Sequence, residues 1–452
     1  MGRLFGTNGV RGVVNKDLTV DKVTRLAAAV GAYISGDIAI GRDGRTSSPM
    51  FRDAAVSGLL SVGCTVHDAG MLPTPALQFS VKNFGLDGGL MVTASHNPPE
   101  FNGIKVIAPD GVEISRKQED EIEDIFFTGG PSPSPWDQIG KIKSLETLEP
   151  YKEGVLKHID RGTAQKAGLK VAIDTGNGVA ALTAPDIACE LGCAIYTINV
   201  DVDGRFPGRD SEPRPDNLDG LRALVRASGA DLGVAFDGDG DRSIFVDEKG
   251  EVHWGDRSFA LVAQEFMAKQ PGAKVATSVS SSRVIEDIVA AGGGEVVWTK
   301  VGSVVISRTM VERGLKLGGE ENGGIMYGPH LEVRDGSMAL ALILEIMAKT
   351  GKHLSELFGG LPQYSQMKDR VACPEELKGR VLEKLRGSVE APKVETIEGV
   401  KLGYPDGSWI LVRPSGTEPV FRLYAEAGSP ERVAQLVEEH KNLVESIVDS
   451  FK

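Results

Sequence analysis

One pattern recurs three times along this chain, and a single small core cannot accommodate it. The unit reads as strand, Gly/Ser-rich turn, helix, strand, helix, and a third strand ending in a polar glycine loop. The first copy opens with GDIAIGRDGRTSS, continues with GCTVHDAG and closes with GGLMVTASHNPPEFNG. LKVAIDTGNGV, GCAIYTINV and ADLGVAFDGDGDR make the second, and AKVATSVSSSRVIED, GGEVVWTKVGS and LKLGGEENGG the third. Short β-branched runs alternating with helical stretches of about 12 residues imply βαβ units and mixed or parallel sheets. In such sheets ligands gather beyond the carboxyl ends of the strands. Three units would therefore present three different polar loops to one cleft.

At 452 residues the chain exceeds what one hydrophobic core serves, which agrees with several domains. We expect boundaries at 1–150, 151–254, 255–365 and 366–452. GGPSPSPWDQ at 129–138 reads as a surface loop, and the repeat stops after SELFGGLPQY. The remainder is a smaller α+β module. Its last helix begins with a Ser cap and a Pro in the first turn, in SPERVAQLVEEHKNLVESIVDSF, with Val433, Leu436, Val437, Leu443 and Val444 forming an apolar face.

A formal net charge of -13 argues against a nucleic-acid or anionic-membrane partner. No apolar run approaches the roughly 20 residues needed to cross a bilayer. The four cysteines lack a paired secreted-type spacing, and the start MGRLFGTNGVRG lacks an apolar signal core, so a reducing cytoplasm is expected. Cys189 and Cys193 could share a helix face, but no further Cys or His stands close by to complete a zinc set, and core packing is expected for them.

Four loops carry chemistry. DGDGDR places Asp237, Asp239 and Asp241 at alternate positions after the apolar run LGVAF. Carboxylates converging at about 4 Å repel by about 4 kcal/mol per pair at an effective dielectric of about 20, and so call for a hard cation such as Mg²⁺ or Ca²⁺. An EF-hand is a rival, since Glu248 falls twelfth from Asp237, but Arg242 replaces the glycine needed at the sixth position and the flanks read as strands. TASHNPPEFNGIK sets Ser95 at the end of a strand, followed by His96, a proline pair and Lys105. A serine on a stiff exposed loop can be a nucleophile or phosphate carrier, or a turn serine satisfying its own backbone, and adjacency to His96 is not a hydrolase dyad. RPSGTEP joins Arg413 to Ser415, Gly416 and Thr417, a compact donor set for a phosphate dianion. GGEENGG offers Glu320, Glu321 and Asn322, suited to adjacent sugar hydroxyls. Arg11, Arg42, Lys105, Arg242, Lys300 and Arg413 lie beside glycines or turns, a local anion trap in an acidic protein.

Taken together and in this order, FGTNGVRG, IGRDGRTSS, TASHNPPEFNGIK, DGDGDR, GGEENGG and RPSGTEP resemble the α-D-phosphohexomutase superfamily over essentially the whole chain. The resemblance implies an α/β fold of three similar α/β domains with mixed sheets, plus a smaller C-terminal α+β domain, around a central cleft. It implies interconversion of hexose 6-phosphate and hexose 1-phosphate through a phosphoserine, with one Mg²⁺ and a hexose 1,6-bisphosphate intermediate; homo-oligomers are compatible with it. By matching position, Ser95 is the phosphoserine, and Asp237, Asp239 and Asp241 are metal ligands together with Ser95. Lys105, Arg11 and His96 lie around the reacting oxygens. Arg42 and Arg242 support phosphoserine and metal, Glu320 and Asn322 read the sugar, and Arg413, Ser415, Gly416 and Thr417 hold the distal phosphate. Lys105 would exchange the hydroxyl proton, a task helped if neighbouring cations lower its pKa.

Three positions depart from common bacterial forms of the family: Asn8 where Asp is frequent, Asn322 where Ser is frequent, and Gly324 where His often assists proton transfer. His330 is the nearest imidazole in sequence to that last gap. Overall resemblance leans towards glucosamine phosphate as substrate, with mannose or glucose phosphate as alternatives. A metal-dependent sugar phosphatase and a non-catalytic binding protein are the rivals that product analysis separates.

Overall fold

The computed structural model describes residues 4–6, 8–389, 391–416 and 418–451. Four sheets occupy four consecutive stretches of chain. The first contains β1 (Val10–Val13), β2 (Asp37–Arg42), β3 (Thr65–Met71), β4 (Gly88–Val92), β5 (Phe101–Ile107) and β6 (Ile142–Ser144), in the order β1-β5-β4-β2-β3-β6. The second contains β7 (Lys170–Asp174), β8 (Ala194–Ile198), β9 (Leu232–Phe236), β10 (Ser243–Asp247) and β11 (Val252–His253), in the order β11-β10-β9-β7-β8. In the third, β12 (Lys274–Ser278), β13 (Glu295–Thr299), β14 (Leu317–Gly319) and β15 (Ile325–Tyr327) run β13-β12-β14-β15.

The three copies seen in the sequence share one topology. In each, two strands separated by a helix pair in parallel (β2 with β3, β7 with β8, β12 with β13), and the third strand pairs in parallel on the other side of the first (β4, β9, β14). That third strand then turns back into an antiparallel partner: β5, β10 or β15. Each hairpin turn carries one motif loop: residues 93–100, 237–242 and 320–324. Strands β4 and β9 are buried along their whole length, as strands covered on both faces must be, and this is why they read as unbroken apolar runs.

The fourth sheet is entirely antiparallel: β16 (Ser365–Ala372), β17 (Lys393–Glu395), β18 (Val400–Gly403), β19 (Trp409–Pro414) and β20 (Val420–Ala427), in the order β16-β20-β19-β18-β17. Its closing helix, Pro430–Asp449, starts as expected: the Ser429 side chain accepts from Arg432 N–H and Pro430 sits in the first turn.

One apolar core runs through all three α/β units, from Ala39 to Leu361, and the helix Gly336–Thr350 lies within it, buried on nearly every side. The C-terminal sheet and helix have a separate core. They meet the third unit at a smaller seam, where Trp409, Leu411 and Tyr424 pack on Val279 beside Trp298. Lys401 there lies over the rings of Trp298 and Trp409 and donates to the Val279 carbonyl at 2.8 Å.

The 129–138 stretch is an irregular surface segment with Trp136 87% exposed. Core packing fails for Cys189, which is exposed, while Cys193, beyond the end of the helix Ala184–Glu190, is half-buried and packs against the main core. Among the described residues no helix is long and apolar enough to cross a membrane.

Candidate active site

The turn after β4 and the turn after β9 meet. Ser95 is fully buried in the left-handed region at φ 51°, its N–H donating to Thr93 Oγ1 at 2.9 Å. Its hydroxyl donates to Asp237 Oδ2 at 2.9 Å, across 142 residues of sequence, and lies 3.3 Å from His96 Nδ1. The approach is close enough to exclude a side chain: a Cβ at Gly238 would lie 2.6 Å from the Ser95 carbonyl oxygen.

Asp237, Asp239 and Asp241 are buried, and one carboxylate oxygen from each lies within 4.8 Å of the others. Each aspartate is fixed by protein donors. Arg242 N–H donates to Asp237 Oδ1 at 3.1 Å; Thr74 Oγ1 and Lys105 Nζ donate to Asp239 Oδ2 at 2.6 and 2.7 Å. Asp241 Oδ2 accepts from Arg334 at 2.6 Å and from Lys105 at 3.1 Å. That leaves Asp239 Oδ1 and Asp241 Oδ1 buried without a hydrogen-bond partner among the described residues. Buried carboxylate oxygens are costly when unpaired, and a converging set of them suits a small hard cation, so the residues fit Mg²⁺. The flanks β9 and β10 are antiparallel strands, and Glu248, the residue an EF-hand needs at its twelfth position, bonds Ser355 instead. The calcium-loop alternative is thereby excluded.

Electrostatics follow from this crowding. Burial, then the neighbouring charges of Asp241 and Asp239, holds the Asp237 carboxyl well above the usual carboxylate range. Burial is the largest effect on Asp239 and Asp241 and acts upward, but Lys105, Thr74 and Arg334 together outweigh it on the first and Arg334, Lys105 and Arg242 together on the second, so both lie below their ordinary value. For Lys105 burial acts downward, yet Asp239 and Asp241 raise its ammonium above the ordinary range. The expectation that cations lower Lys105 is therefore corrected: its nearest partners are carboxylates. Arg242, with burial second, pushes His96 well below the ordinary imidazole value. Burial lowers Arg11 to about 10.

Arg11 stands on β1 opposite Gly103 of β5, and its guanidinium donates to Asn97 Oδ1 at 2.7 Å and the Ala94 carbonyl at 3.2 Å. It joins the serine loop. Arg242 also pairs with Glu212 at 3.0 Å. Arg42 does not share these bonds; its described hydrogen bond goes to the neighbouring Asp43 carbonyl at 3.2 Å. The serine loop is held instead by Arg45, a residue the motif reading passed over. Its side chain is fully buried and donates to the carbonyls of Ser95, Asn97, Pro98 and Phe101, and to Asp43 Oδ2.

In the third loop Glu320 pairs with Arg334 at 3.2 Å, Asn322 Oδ1 accepts from Gly324 N–H at 3.3 Å, and Glu321 bonds Trp254 and Lys368. His330 does not fill the gap at Gly324. It is buried against Phe79, near Tyr151 and His158, with Nε2 3.3 Å from Asp335 Oδ2. Asn8 donates to Ser303 Oγ at 3.3 Å. In the C-terminal unit Arg413 pairs with Glu398, which also accepts Val301 N–H at 2.6 Å. Ser415 Oγ accepts from Glu418 N–H at 3.2 Å, its carbonyl accepts from Lys378 at 2.6 Å, and Gly416 is exposed. Thr417 lies outside the described residues. Of the missed residues Thr74, Arg45, Glu398 and Arg334, only Arg45 lies inside a motif singled out by sequence.

Family models match in four consecutive pieces. Phosphoglucomutase/phosphomannomutase alpha/beta/alpha domain I matches residues 2–132, domain II 149–250, domain III 254–364, and the C-terminal domain 370–443. The chain is 45% identical to a phosphoglucosamine/phosphogalactosamine mutase of Sulfurisphaera tokodaii, over 98% of this chain and all of that one. It is 40% identical to a phosphoglucomutase/phosphomannomutase of Thermococcus kodakarensis, over 97% of each. Among solved structures, a phosphoglucomutase/phosphomannomutase family protein of Burkholderia thailandensis is 30% identical with a TM-score of 0.88, covering 98% of this chain and 97% of that one.

Proposed function

We propose a reaction for this chain from one premise that the matches establish: it belongs to the phosphoglucomutase/phosphomannomutase family of phosphohexomutases. In our reading it interconverts hexose 6-phosphate and hexose 1-phosphate, and Ser95 carries the phosphoryl group. The observation that carries this is the 2.9 Å contact of Ser95 Oγ with Asp237, in a cluster whose Asp239 and Asp241 each keep one buried oxygen unpaired.

Phosphorylated Ser95 passes its phosphoryl group to the free sugar hydroxyl: the Ser95 O–P bond breaks, a sugar O–P bond forms, and the hydroxyl proton passes by way of Lys105 to the released Ser95 oxygen. The bisphosphate then reorients and returns its other phosphoryl group to Ser95. Ser95 Oγ, Asp237, Asp239 and Asp241 would hold Mg²⁺, which when bound supplies charge neutralisation on the transferring oxygens. Lys105 holds Asp239 and Asp241 in place as an ammonium. It becomes available to exchange the hydroxyl proton once those carboxylates are neutralised, because burial, which lowers its pKa, then meets less opposition. Arg11 and Arg242 compensate phosphoryl charge, while His96, held neutral, contributes a hydrogen bond rather than a charge. Glu320 and Asn322 read sugar hydroxyls, and Arg413, Ser415, Gly416 and Thr417 grip the far phosphate.

Among hexoses we favour glucosamine phosphate, supported by the name and 45% identity of the Sulfurisphaera tokodaii relative; the 40% identical Thermococcus kodakarensis relative favours glucose or mannose phosphate. The test is phosphorus NMR with each 6-phosphate, Mg²⁺ and a trace of the matching bisphosphate. We expect interconversion without net release of inorganic phosphate, fastest for glucosamine. Release of phosphate with no 1-phosphate formed would replace the mutase by a phosphatase.

A further inference from the structure

Gly324 follows a residue that needs glycine on two counts. Gly323 has φ 89°, a conformation that disfavours a side chain, and a Cβ there would lie 2.3 Å from the Ser243 carbonyl oxygen, whereas Gly324 has an ordinary φ. What forbids a side chain at 324 is space: a Cβ there would lie 2.3 Å from Arg334 Cδ and 2.8 Å from its Cγ. The stem of Arg334 fills the volume that a side chain at 324 would occupy.

The head of Arg334 spans two loops from different units. Nη2 donates to Asp241 Oδ2 at 2.6 Å and Nη1 to Glu320 Oε2 at 3.2 Å, and all three side chains are buried. Its backbone is fixed on both sides. Residue 334 bridges Met326 of β15, and Asp335 caps the helix Gly336–Thr350 by accepting Met338 N–H. The arginine is thus a short strut on a rigid base. By holding Asp241 through Oδ2 it leaves Oδ1 as the unpaired oxygen, and by holding Glu320 through Oε2 it fixes that carboxylate relative to the aspartates.

We propose that Arg334 is a positioning residue that couples the sugar-reading loop to the acidic triplet, and that Gly324 is its steric counterpart. The inference rests on the sugar-reading role proposed above for Glu320. A planar guanidinium serves two carboxylates along separate N–H directions fixed in one plane, whereas a lysine ammonium is a single point charge on a flexible stem and does not hold two loops in one fixed geometry. Binding of the sugar and the setting of Asp241 are therefore linked through one side chain.

The test uses the full-length chain with Mg²⁺ and compares wild type, Arg334→Lys, Glu320→Gln and the double variant. Kinetics are followed with the hexose phosphate that turns over fastest, and binding of glucosamine 6-phosphate by calorimetry. Arg334→Lys keeps the buried charge and should raise KM about tenfold or more while kcat falls less, as loss of an outer positioning partner does. Adding Glu320→Gln to it should cost little further, because the lysine variant has already released Glu320. Wild-type constants in Arg334→Lys, or losses that simply add in the double variant, overturn the coupling. Absence of turnover by the wild type overturns the mutase reading instead. The calorimetric cycle needs no turnover and still decides Arg334: less-than-additive losses support the strut, and additive losses or no binding overturn it.

Discussion

Replacing Arg45 by Met should dismantle the serine loop before it harms anything else. The Arg45 side chain has no solvent exposure, and each of its five N–H groups donates to an acceptor: Asp43 Oδ2 at 3.1 Å, and the carbonyls of Pro98, Phe101, Ser95 and Asn97 at 2.6, 3.0, 2.8 and 2.6 Å. Met fills much of the volume but donates nothing. Removing one partner of a buried ion pair costs about 3–5 kcal/mol, and among the described residues Asp43 then keeps Arg45 N–H, Ser48 and Thr93 as donors. The loop also holds Ser95 at φ 51°, a conformation costing about 1–2 kcal/mol that persists only while its surroundings enforce it. Local stability of residues 94–101 should accordingly fall by about 3–5 kcal/mol, read by native-state hydrogen exchange as faster exchange in that segment with the second sheet unchanged. Turnover should drop at least about a hundredfold, since a displacement of about 1 Å costs that much in phosphoryl positioning. Arg45→Lys, with three donors, should fall between. Unchanged exchange and turnover in Arg45→Met would refute the reasoning.

Asp239→Asn should weaken Mn²⁺ binding, titrated calorimetrically without sugar, by about tenfold or more, because it removes charge from one of the two carboxylates with a free buried oxygen; equal affinity would show that the cation sits elsewhere. His96 is held below the ordinary imidazole value, by Arg242 and by burial, so its imidazole signal should not titrate between about pH 6 and 8. The sign for stability follows. As pH falls through the ordinary value of about 6.5, the unfolded chain takes up a proton that the folded site refuses, and stability declines. His96→Gln should remove that share of the decline, and an identical acid profile in the variant would count against it.

Much of the architecture was readable because it is written in local pattern. Strands β4 and β9 are covered on both faces and show as GGLMV and LGVAF, and Ser429-Pro430 marks the last helix by its cap. Loop chemistry was readable in kind, since three alternate aspartates call for a cation once they converge out of water. What the residues alone could not show is convergence: Ser95 and Asp237 are 142 positions apart, and only tertiary folding brings them to 2.9 Å. Struts were the hardest to see. Arg42 and Arg45 flank the same turn, and nothing local distinguishes the arginine that is swallowed by four carbonyls from the one that is not. The imidazole sought at His330 belongs to an aromatic cluster with Phe79, while the space at Gly324 is filled from Arg334, ten residues on. A glycine with an ordinary φ was the available signal, and φ is not visible in sequence.

The central claim is that Ser95 shuttles the phosphoryl group, and single-turnover transfer tests it most directly. The protein is incubated with hexose 1,6-bisphosphate, freed of sugar, mapped by mass spectrometry, and mixed with hexose monophosphate. The account predicts one phosphoryl group on Ser95 that is discharged to the sugar as bisphosphate, and neither event in Ser95→Ala. A phosphoryl group carried on another residue, or wild-type turnover by Ser95→Ala, would contradict it.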